Sequence, residues 1–402
     1  MTGRTHVVGA GLAGLACALA LARAGRPVTL WEAAPRAGGR CRTFHDPVLD
    51  RVLDNGPHLV VGANRAVRAH ARAIGGRLEP LDAAYPLRHA DGTTRTVRPG
   101  VRHLAAGGRR DLAPLWRLLR APPGAVVADC VGAAALARLW EPLCLAVLNT
   151  PPAAASARLL GRTAAVLLAG GGYAARPWVA PDGLDAALVA PAVTDLERAG
   201  AHVHFGQRIT GLATTDGRVT ALHARNNTCV SVGRNESVVL ALPADAARAL
   251  WPTVPAFHQR AIVAAHFRDA AGAAAMPPLL GLTGATGQWL FRRGDVVSVV
   301  VSAAGADLVA APAADVAARL WTDAANALGR AATPLPPCRV VKERRATPDQ
   351  TPAFATTRPG PRTTCANLFL AGDWTATGLP ATLDGAVRSG WHAARLVRRN
   401  RP

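Results

Sequence analysis

Lysine is almost absent from this 402-residue chain. Lys342 is the only lysine, although basic residues outnumber acidic ones by 46 to 26 and give a net charge of +20. Aromatic residues make up only 4% of the chain, and no basic stretch alternates with them. Binding of single-stranded nucleic acid needs stacking side chains beside the charge, so this composition argues against it. The arginine-rich charge suits instead an acidic membrane surface, an anionic partner or a phosphate-bearing ligand.

Metal-binding cysteine spacings and long apolar runs are missing as well. The seven cysteines include no CxxC pair, which argues against a metal site and indicates a reducing compartment. The apolar stretch 7–24 is interrupted by glycines, and the stretch 130–148 contains Arg138 and Glu141. Neither stretch is typical of a signal peptide or a membrane span. We expect a cytoplasmic protein that is either free or peripheral on the inner face of the cytoplasmic membrane.

The N-terminal region contains a nucleotide-binding pattern. Thr5–Val8 predicts a buried strand, and Gly9-Ala10-Gly11-Leu12-Ala13-Gly14 follows it directly. Leu15–Ala24 predicts a helix that stops at Gly25, and Pro27–Trp31 predicts a second strand that ends in Glu32. A GxGxxG motif between strand and helix, with an acidic residue roughly 20 residues later, is typical of a dinucleotide-binding unit.

Each residue type in this pattern has a physical role. Gly9 allows a tight turn, Gly11 lets the backbone approach a pyrophosphate at the helix N-terminus, and Gly14 permits close packing of helix on strand. The carboxylate of Glu32 accepts hydrogen bonds from ribose hydroxyls. The predicted cofactor contacts in this region are Gly9, Gly11, Leu12, Ala13, Gly14, Glu32 and Ala33.

A second glycine pair favours FAD over NAD as the nucleotide. Gly38-Gly39-Arg40 resembles the FAD-binding half of the amine oxidase and phytoene desaturase superfamily, in which these residues lie along the pyrophosphate and the ribityl chain. In related flavoproteins a loop like the one at 54–58 passes beside the isoalloxazine ring. We therefore predict FAD as the cofactor, with contacts from Gly38, Gly39, Arg40, Gly56, Pro57 and His58.

A segment near the C-terminus predicts a second contact with the same cofactor. Leu368–Ala371 predicts a strand, Gly372-Asp373 ends it, and a helix is predicted from about Thr382. We expect Asp373 to accept from ribityl hydroxyls or to order water near the phosphates. The helix N-terminus directs its positive dipole end at the flavin pyrimidine ring, which stabilises the reduced anion. The predicted contacts are Gly372, Asp373, Pro380, Ala381, Thr382 and Ala386.

The predicted fold class is α/β, with a discontinuous Rossmann-type FAD-binding domain and an α+β substrate domain. The FAD-binding domain is predicted to comprise residues 1–65, 190–250 and 335–402, and the substrate domain residues 66–189 and 251–334. Within the middle FAD segment, 201–212 and 237–242 predict strands, and the loop at Arg208-Ile209 is predicted to face adenine. In the substrate domain, 112–120, 133–148 and 315–328 predict helices, and 288–291 and 296–302 predict strands.

A second dinucleotide motif is not found. Gly281, Gly284 and Gly287 are followed by Trp289-Leu290-Phe291, which predicts a strand and not the helix that such a motif needs. Electrons must therefore enter or leave the flavin through an unidentified donor, such as a partner, a quinone or a diffusing reductant.

Motifs along nearly the whole chain resemble one family of bacterial enzymes, the hydroxysqualene dehydroxylases. These are squalene-associated, FAD-dependent members of the phytoene desaturase-like group. The motifs are residues 54–63, Leu-Asn-Thr-Pro-Pro at 148–152, Gln-Trp-Leu-Phe at 288–291, Glu-Arg-Arg-Ala-Thr at 343–347, Ala-Gly-Asp-Trp-Thr at 371–375 and Thr-Gly-Leu-Pro-Ala-Thr at 377–382. Two positions depart from the family: Asp384 stands where glutamate is usual, and Asn64 where an aromatic residue is expected.

The resemblance implies reductive removal of the allylic hydroxyl of hydroxysqualene, giving squalene for hopanoid synthesis. The substrate would be a lipophilic triterpenoid in an apolar tunnel, and contact with other enzymes of squalene biosynthesis is an open expectation. Hydroxide is a poor leaving group, so an acid must protonate it. Asp54 and His58 are the first candidates to supply or relay this proton, and Asp384 is the third. Asn149 is interpreted as a helix-ending residue.

Three other functions stay open at this point. An oxidative desaturase of a carotenoid precursor such as phytoene would share fold and cofactor and run hydride the other way. A flavin amine oxidase would normally need an aromatic cage or a covalent flavin link, and the chain has only two tyrosines, Tyr85 and Tyr173. A non-catalytic scaffold at a membrane surface would use the net charge but not the flavin motifs. Arg109-Arg110, Arg117, Arg120 and the arginines of 395–401 are candidates for contact with anionic headgroups.

Overall fold

The computed structural model describes residues 3–89, 91–98, 109–225 and 227–400; the side chains of 109–112 lie outside this description. The strands are β1 (Thr5–Val8), β2 (Val28–Trp31), β3 (Thr43–Asp46), β4 (Arg51–Asp54), β5 (Val60–Val61), β6 (Glu79–Pro80), β7 (Tyr85–His89), β8 (Thr94–Val97), β9 (Pro177–Val179), β10 (His202–His204), β11 (Ile209–Thr215), β12 (Arg218–Ala224), β13 (Cys229–Ser231), β14 (Ser237–Leu240), β15 (Gln259–Arg268), β16 (Leu279–Thr283), β17 (Trp289–Arg293), β18 (Val296–Ala304), β19 (Cys338–Pro348) and β20 (Leu368–Leu370).

The helices lie between these strands. In chain order they are α1 (Leu12–Ala22), α2 (Arg65–Ala73), α3 (Arg109–Arg120), α4 (Val127–Cys130), α5 (Ala133–Ala135), α6 (Glu141–Leu148), α7 (Ala157–Ala169), α8 (Gly171–Ala174), α9 (Leu184–Leu188), α10 (Ala190–Arg198), α11 (Ala244–Leu250), α12 (Ala270–Ala275), α13 (Ala306–Ala310), α14 (Ala313–Ala327), α15 (Pro352–Thr357) and α16 (Leu383–Arg399). A π-helix, Leu136–Trp140, joins α5 to α6.

A five-stranded parallel sheet, in the order β10-β2-β1-β14-β20, contains the strands of the predicted nucleotide-binding pattern. β1, β2, β14 and β20 are short and buried, as apolar runs of this length predict for a sheet covered on both faces, whereas the edge strand β10 is largely exposed. Alternate residues point to opposite faces: Val7 and Val239 pack in one core with α1 and α16, whereas Val8 and Val238 pack in another with α7. The chain enters this sheet from three separate segments. The predicted α/β class with a discontinuous Rossmann-type unit is confirmed.

A seven-stranded mixed sheet, β19-β15-β18-β17-β16-β7-β8, forms the second unit. One face packs against α14 through residues such as Phe267, Val299 and Trp321, which are all buried. Three smaller antiparallel sheets contain the other strands of the described residues: β11-β12-β13, the β3–β4 hairpin and β5-β9-β6. The predicted strands at 288–291 and 296–302 and the predicted helix at 315–328 correspond to β17, β18 and α14.

Two predictions about the organisation of the chain are wrong in detail. The single strand predicted at 201–212 is two strands, β10 and β11, because Gly206 adopts a φ of +70° and turns the chain between them. The boundary predicted at 335 cuts off β19, which pairs with β15 and extends the second sheet as far as Pro348. We propose the other predicted boundaries as they stand.

Two properties of the described residues bear on ligands and membranes. Within them, no helix is both long and apolar enough to cross a bilayer. Nor do these residues include a group of three or more histidine, cysteine, aspartate or glutamate side chains that could hold a metal ion.

Candidate active site

The carboxyl ends of the parallel strands meet at one edge of the five-stranded sheet. The chain moves outward from β1 through β2 to β10 on one side, and from β14 to β20 on the other. A crevice therefore opens between the ends of β1 and β14, which is where doubly wound sheets bind ligands. The predicted cofactor residues that follow β1, β2 and β20 all lie at this edge.

The glycines of the first turn have different surroundings. A Cβ on Gly14 would lie 1.9 Å from the carbonyl oxygen of Gly9, so α1 crosses β1 as closely as the motif predicts. Gly9 itself has a φ of +105°, which glycine tolerates best. A Cβ on Gly11, in contrast, would meet no atom of the described residues within 4 Å. Gly11 is therefore not needed for packing within the protein, and its bare backbone borders open space.

The second glycine pair lies directly against the first turn. Gly38 and Gly39 have φ angles of +108° and +57°, so only glycine follows this path without strain. The amide of Gly38 donates to the carbonyl of Ala10 at 2.9 Å, and Gly11 and Gly38 form an isolated bridge. A Cβ on Gly39 would contact only the Cα of Gly11, at 3.5 Å. The two bare turns thus form a cradle of the kind that a pyrophosphate occupies, and the geometry fits a dinucleotide.

Glu32 connects the cradle to the neighbouring strands. Its Oε2 accepts from the amide of Ala10 and its Oε1 from that of Ala34, both at 2.8 Å. Each oxygen keeps a further lone pair for a ribose hydroxyl. The amide of Gln207 donates to the carbonyl of Glu32 at 2.8 Å. The turn carrying Arg208 and Ile209 therefore lies beside Glu32, at the predicted adenine side, and Ala33 continues the chain past it.

Arg40 joins three parts of the chain at the mouth of the crevice. Its Nη2 donates to Oδ1 of Asp373 at 2.8 Å, and its Nη1 donates to the carbonyl of Ala346 at 2.7 Å. Asp373 follows β20 and its side chain is buried, whereas Arg40 is about one-third exposed. The two residues predicted to contact the cofactor separately are thus also paired with each other.

Asp54 is fully engaged by donors from the protein. Its Oδ1 accepts from the hydroxyl of Thr43 at 2.7 Å and from the amide of Leu184 at 3.0 Å. Its Oδ2 pairs with Nη1 of Arg293 at 2.7 Å. These partners belong to β3, α9 and β17, so the carboxylate of Asp54 ties the second sheet to the β3–β4 hairpin.

His58 has one ring nitrogen engaged. Its Nδ1 lies 2.6 Å from the carbonyl oxygen of Gly56, and because a carbonyl only accepts, Nδ1 carries the proton. Burial lowers the pKa of His58 below its ordinary value of 6.5. The imidazole is therefore neutral near pH 7, with a lone pair on Nε2. Pro57, between these two residues, is half-buried.

The loop 372–382, which we call the return loop, leads from β20 to α16. Its last residue, Thr382, is the N-cap of α16 and accepts from the amide of Gly385 at 3.4 Å. The amide of Ala381 donates to Oε1 of the fully buried Gln350 at 2.8 Å. Pro380 is buried and Ala386 half-buried in the first turn of α16. The helix N-terminus is formed where the sequence places it.

Asp384 is buried beside α2 and not free. Its Oδ1 accepts from the amide of Val67 at 3.0 Å, in the first turn of α2. Asn64, the N-cap of α2, makes no cap of its own, since its side chain accepts from Val61 at 2.8 Å. Asp384 therefore caps α2 from a distant part of the chain, and burial raises the pKa of its carboxyl group.

The face of the second sheet opposite α14 carries an apolar row. Pairing places Val341, Ala264, Val300, Trp289, Gly281 and Leu87 next to one another across six strands. Trp289 and Tyr85 meet edge to face with centroids 6.4 Å apart. On the same face, Glu343 accepts from the side-chain amide of Asn55 at 3.0 Å. The row therefore faces the loop that carries His58.

Two residues of this site had no signal in the sequence. Gln350 and Arg358 act through side chains that reach across to distant segments, and no spacing rule marks such contacts. Glu343 begins one of the motifs that carry the resemblance, but its contact with Asn55 was not predicted. Asn149 ends α6 with a φ of +49°, in agreement with its interpretation as a helix-ending residue. Its side chain also bonds Ala303 and Thr347, which the sequence did not indicate.

Comparison with known proteins agrees with this architecture. Residues 7–74 match the NAD(P)-binding Rossmann-like domain, and residues 128–398 match the family of flavin containing amine oxidoreductases. Proteins named hydroxysqualene dehydroxylase match over almost their full length. That of Rhodopseudomonas palustris is 40% identical and that of Sinorhizobium fredii 41% identical, each over 99% of both chains. The chain belongs to the hydroxysqualene dehydroxylase family.

Solved structures of flavin amine oxidases share the fold of this hydroxysqualene dehydroxylase family member. A double mutant of putrescine oxidase superposes with a TM-score of 0.75 over 99% of both chains at 16% identity. Cyclohexylamine oxidase from Brevibacterium oxydans gives a TM-score of 0.72 at 16% identity. At 16% identity this similarity shows only the shared fold. The membership in the hydroxysqualene dehydroxylase family shows that the protein is a flavin-dependent oxidoreductase.

Two of the motifs on which the predicted resemblance depends have structural roles. Gln288 bonds both backbone groups of Ser302 with its side-chain amide, at 3.1 and 2.8 Å, and so joins the ends of β17 and β18. The indole Nε1 of Trp374 donates to the carbonyl of Leu242 at 2.8 Å, which fixes the return loop to the end of β14. Gln288 and Trp374 thus connect neighbouring segments of the fold.

Proposed function

We propose that the chain binds FAD and reductively removes the allylic hydroxyl of hydroxysqualene, giving squalene. The single observation that carries this proposal is the full-length similarity to hydroxysqualene dehydroxylases at 40–41% identity. The open cradle at Gly11 and Gly39 and the apolar row on the second sheet support it independently, since one suits a dinucleotide and the other a hydrocarbon chain.

In the proposed complex, each part of FAD is held by a different segment. The ribose lies at Glu32 and Ala33, the adenine at Arg208 and Ile209, and the pyrophosphate over both glycine turns. The residues proposed for the pyrophosphate and ribityl chain are Gly9, Gly11, Leu12, Ala13, Gly14, Gly38, Gly39, Arg40, Gly372 and Asp373. Those proposed for the flavin ring are Gly56, Pro57, His58, Pro380, Ala381, Thr382 and Ala386.

The balanced reaction needs two electrons and two protons. The C–O bond breaks, a C–H bond forms, and the hydroxyl group leaves as water after taking up one proton. Bound FAD, when reduced, supplies the hydride. The protein must exclude bulk water from the cationic carbon and deliver one proton to the leaving oxygen. The apolar row from Val341 to Leu87 serves the first need by covering the hydrocarbon.

For the proton we propose His58 as the relay group. Its Nε2 is free of protein partners among the described residues, so a proton taken from solvent can pass through it to the substrate hydroxyl. Its lowered pKa makes the protonated imidazole a stronger acid. The same lowering means that a smaller fraction of the molecules carries this proton near pH 7. We propose that Asp54 holds the loop in place, since its three accepted bonds leave it no proton to give. Asp384, with its raised pKa, stays the third candidate.

The reducing equivalents come, in this proposal, from a separate electron donor that exchanges with the flavin. The sequence contains no second dinucleotide motif, since Gly281 lies within strand β16 and Gly287 lies two residues before strand β17, where such a motif needs a helix.

We also propose that the protein is cytoplasmic and contacts the inner membrane surface through α3. Trp116 is 58% exposed on this helix, and the guanidinium of Arg120 lies 3.7 Å from the centre of its ring. Arg117 and Leu119 are exposed beside them. An aromatic ring with neighbouring cations suits an anionic headgroup layer. The side chains of Arg109 and Arg110, and the whole of Arg401, lie outside the described residues.

Flotation with vesicles that contain anionic lipid tests the membrane contact. Trp116→Ser combined with Arg120→Gln should reduce flotation several-fold, and added salt should do the same to the unchanged protein. Val52→Ser, which alters an exposed side chain on the β3–β4 hairpin, is the matched control. Equal flotation of both variants, or none at any salt concentration, counts against this surface.

The activity is tested by mixing the anaerobically reduced protein with hydroxysqualene. We expect flavin reoxidation, followed by absorbance, together with formation of squalene in extracts. Phytoene and squalene are supplied separately to the oxidised protein as controls. Flavin reduction by phytoene without turnover of hydroxysqualene would replace the proposal by the desaturase alternative.

A further inference from the structure

A buried arginine lies beneath the return loop. Arg358 directly follows α15, and only 9% of its surface is exposed. Among the described residues it makes no ion pair with a carboxylate, because its partners there are backbone oxygens and a hydroxyl. A buried cation without a contacting anion is costly, so a well-defined geometric role is expected of it.

Every hydrogen bond of this guanidinium goes to the return loop. Its Nη2 donates to the carbonyl of Asp373 at 2.6 Å and to the hydroxyl of Thr377 at 3.3 Å. Its Nε donates to the carbonyl of Trp374 at 3.3 Å, and its Nη1 to that of Leu379. Three carbonyls spread over seven residues are thus gathered by one planar fork, which a lysine cannot reproduce.

These bonds also fix the opposite side of the loop. In a trans peptide the C=O and the following N–H point in opposite directions. Because Arg358 donates to the carbonyl of Asp373 on one side, the amide of Trp374 is turned to the other side. The carboxylate of Asp373 meanwhile pairs with Arg40 at 2.8 Å. Arg358 thereby sets the orientation of Asp373, three residues after β20, at the crevice.

Two further contacts agree with a supporting role. Phe354, on α15, packs under the guanidinium at 4.9 Å and so fills the space on its far side. Gln350, just before α15, holds the amide of Ala381 at the other end of the loop. The segment 350–358 therefore makes hydrogen bonds near both ends of the return loop, to Asp373 and to Ala381. Burial lowers the pKa of Arg358 to about 10, so the guanidinium keeps its charge at neutral pH.

We infer that Arg358 is a positioning residue for the flavin: it shapes the return loop so that Asp373 and the start of α16 face the cofactor, and it keeps a positive charge near the reduced ring. This inference rests on the proposed function, because it needs FAD in the crevice. The charge favours the anionic reduced form over the oxidised form, so it raises the reduction potential.

Arg358→Gln and Arg358→Lys separate the fork from the charge. FAD titrated into the apoprotein is followed by quenching of its fluorescence, and the two-electron midpoint potential is measured at saturating FAD. We expect the dissociation constant to rise about tenfold or more in both variants, because neither can hold three carbonyls. We expect the potential to become more negative in the Gln variant and to stay near that of the unchanged protein in the Lys variant.

Two controls keep the outcomes distinct. Arg362→Gln changes an exposed arginine four residues along the chain and should alter neither quantity. Gln350→Leu removes the hold on Ala381 without changing charge, so it should weaken FAD binding and leave the potential unchanged; it also serves if Arg358→Gln fails to fold. FAD affinity and potential unchanged in the position-358 variants that fold would overturn the inference. Absence of FAD binding by the unchanged protein would instead overturn the proposed function.

Discussion

The guanidinium of Arg40 lies 2.8 Å from the carboxylate of Asp373 and joins the second glycine turn to the end of β20. The two residues are 333 positions apart in sequence. Both were expected at the cofactor because each belongs to a separate motif, and the pairing makes them one unit at the mouth of the crevice. The aspartate side chain is 6% exposed and the arginine 36%. Loss of Arg40 would therefore leave a buried carboxylate without its cation.

Arg40→Met should weaken FAD binding. A lost charge-assisted hydrogen bond at a ligand site costs on the order of 1.5–3 kcal/mol, so the dissociation constant is expected to rise roughly 10- to 100-fold. Fluorescence titration of the apoprotein with FAD measures it. Arg158→Met, an exposed change on α7, is the control and should bind FAD normally. Equal affinities would remove Arg40 from the proposed site.

Gly11→Ala should weaken FAD binding without lowering the stability of the protein, whereas Gly14→Ala should lower the stability itself. A Cβ at Gly11 meets no described atom within 4 Å, so the apoprotein should keep its melting temperature but bind FAD at least about tenfold more weakly. A Cβ at Gly14 would lie 1.9 Å from the oxygen of Gly9, so this variant should lose stability even without FAD. Thermal unfolding of both apoproteins, followed by titration with FAD, distinguishes the two. Normal FAD affinity in Gly11→Ala would place the pyrophosphate elsewhere.

His58 should impose a pH dependence on turnover. Its pKa is lowered below 6.5 by burial, so its proton-bound fraction is small near pH 7 and grows as the pH falls through that lowered pKa. Single-turnover reoxidation of the reduced flavin by hydroxysqualene should therefore accelerate as the pH falls from 7 toward this lowered pKa, and level off below it. His58→Gln should remove this acceleration and slow the reaction about 100-fold or more.

Asp54→Asn is the comparison for His58. It should lower thermal stability, because the pair with Arg293 is lost, while the acceleration at low pH remains. The reverse pattern, with the pH dependence lost only in Asp54→Asn, would transfer the proton to Asp54.

The ionised carboxylate of Asp295 should raise the free energy of unfolding near neutral pH and lose this contribution in acid. Hydrogen bonds from Arg51, at 2.8 Å to each oxygen, lower the pKa of Asp295 from 3.8 to about 2. A carboxyl group whose folded pKa is lowered stabilises the protein above the unfolded value and loses this effect as the pH falls through the folded value. Asp295→Asn should reduce the free energy of unfolding by about 1 kcal/mol near pH 7, allowing for solvent screening. Urea unfolding should show this difference narrowing below pH 3.8.

An exposed acidic residue provides the control for Asp295. Asp307, whose side chain is 77% exposed and 3.8 Å from Arg319, should show little change on conversion to asparagine. If Asp295→Asn lowered the free energy of unfolding by the same amount at every pH, the stabilisation could not be assigned to the ionised carboxylate of Asp295.

The backbone conformation and the side chain of Asn149 should make separate contributions to the free energy of unfolding. Its φ of +49° suits glycine, and its side chain bonds Thr347 at 2.9 Å and the amide of Ala303 at 2.6 Å. Asn149→Gly should therefore lose about 2–3 kcal/mol through the unpaired buried groups. Asn149→Ala should lose about 1 kcal/mol more, because alanine resists the left-handed conformation. Chemical denaturation measures both, and equal stabilities of the two variants would contradict the backbone contribution.

The sequence by itself determined the nucleotide-binding part of this protein through local chemistry. The pattern from Thr5 to Glu32 encodes strand, turn and helix through neighbours in sequence, and β1, α1 and β2 agree with it to within three residues at their ends. The return from β20 to α16 was likewise readable, since a short apolar run, Gly372 and the capping residue Thr382 each act within one turn. These features depend on short-range sterics and backbone hydrogen bonding.

Only the tertiary structure decided how the side chains of the site are shared. The sequence predicted Asp54 and Asp384 as acids near a flavin. In the fold, Asp54 pairs with Arg293, and Asp384 accepts a hydrogen bond from the first turn of α2. Arg358 belongs to no motif, yet it bonds four residues of the return loop between Asp373 and Leu379. Such contacts depend on which distant segments the packing brings together, because side-chain hydrogen bonds form only when donor and acceptor are about 2.7–3.2 Å apart. Spacing along the chain encodes the turns, whereas the pairing of charges across the crevice follows from the assembled sheets.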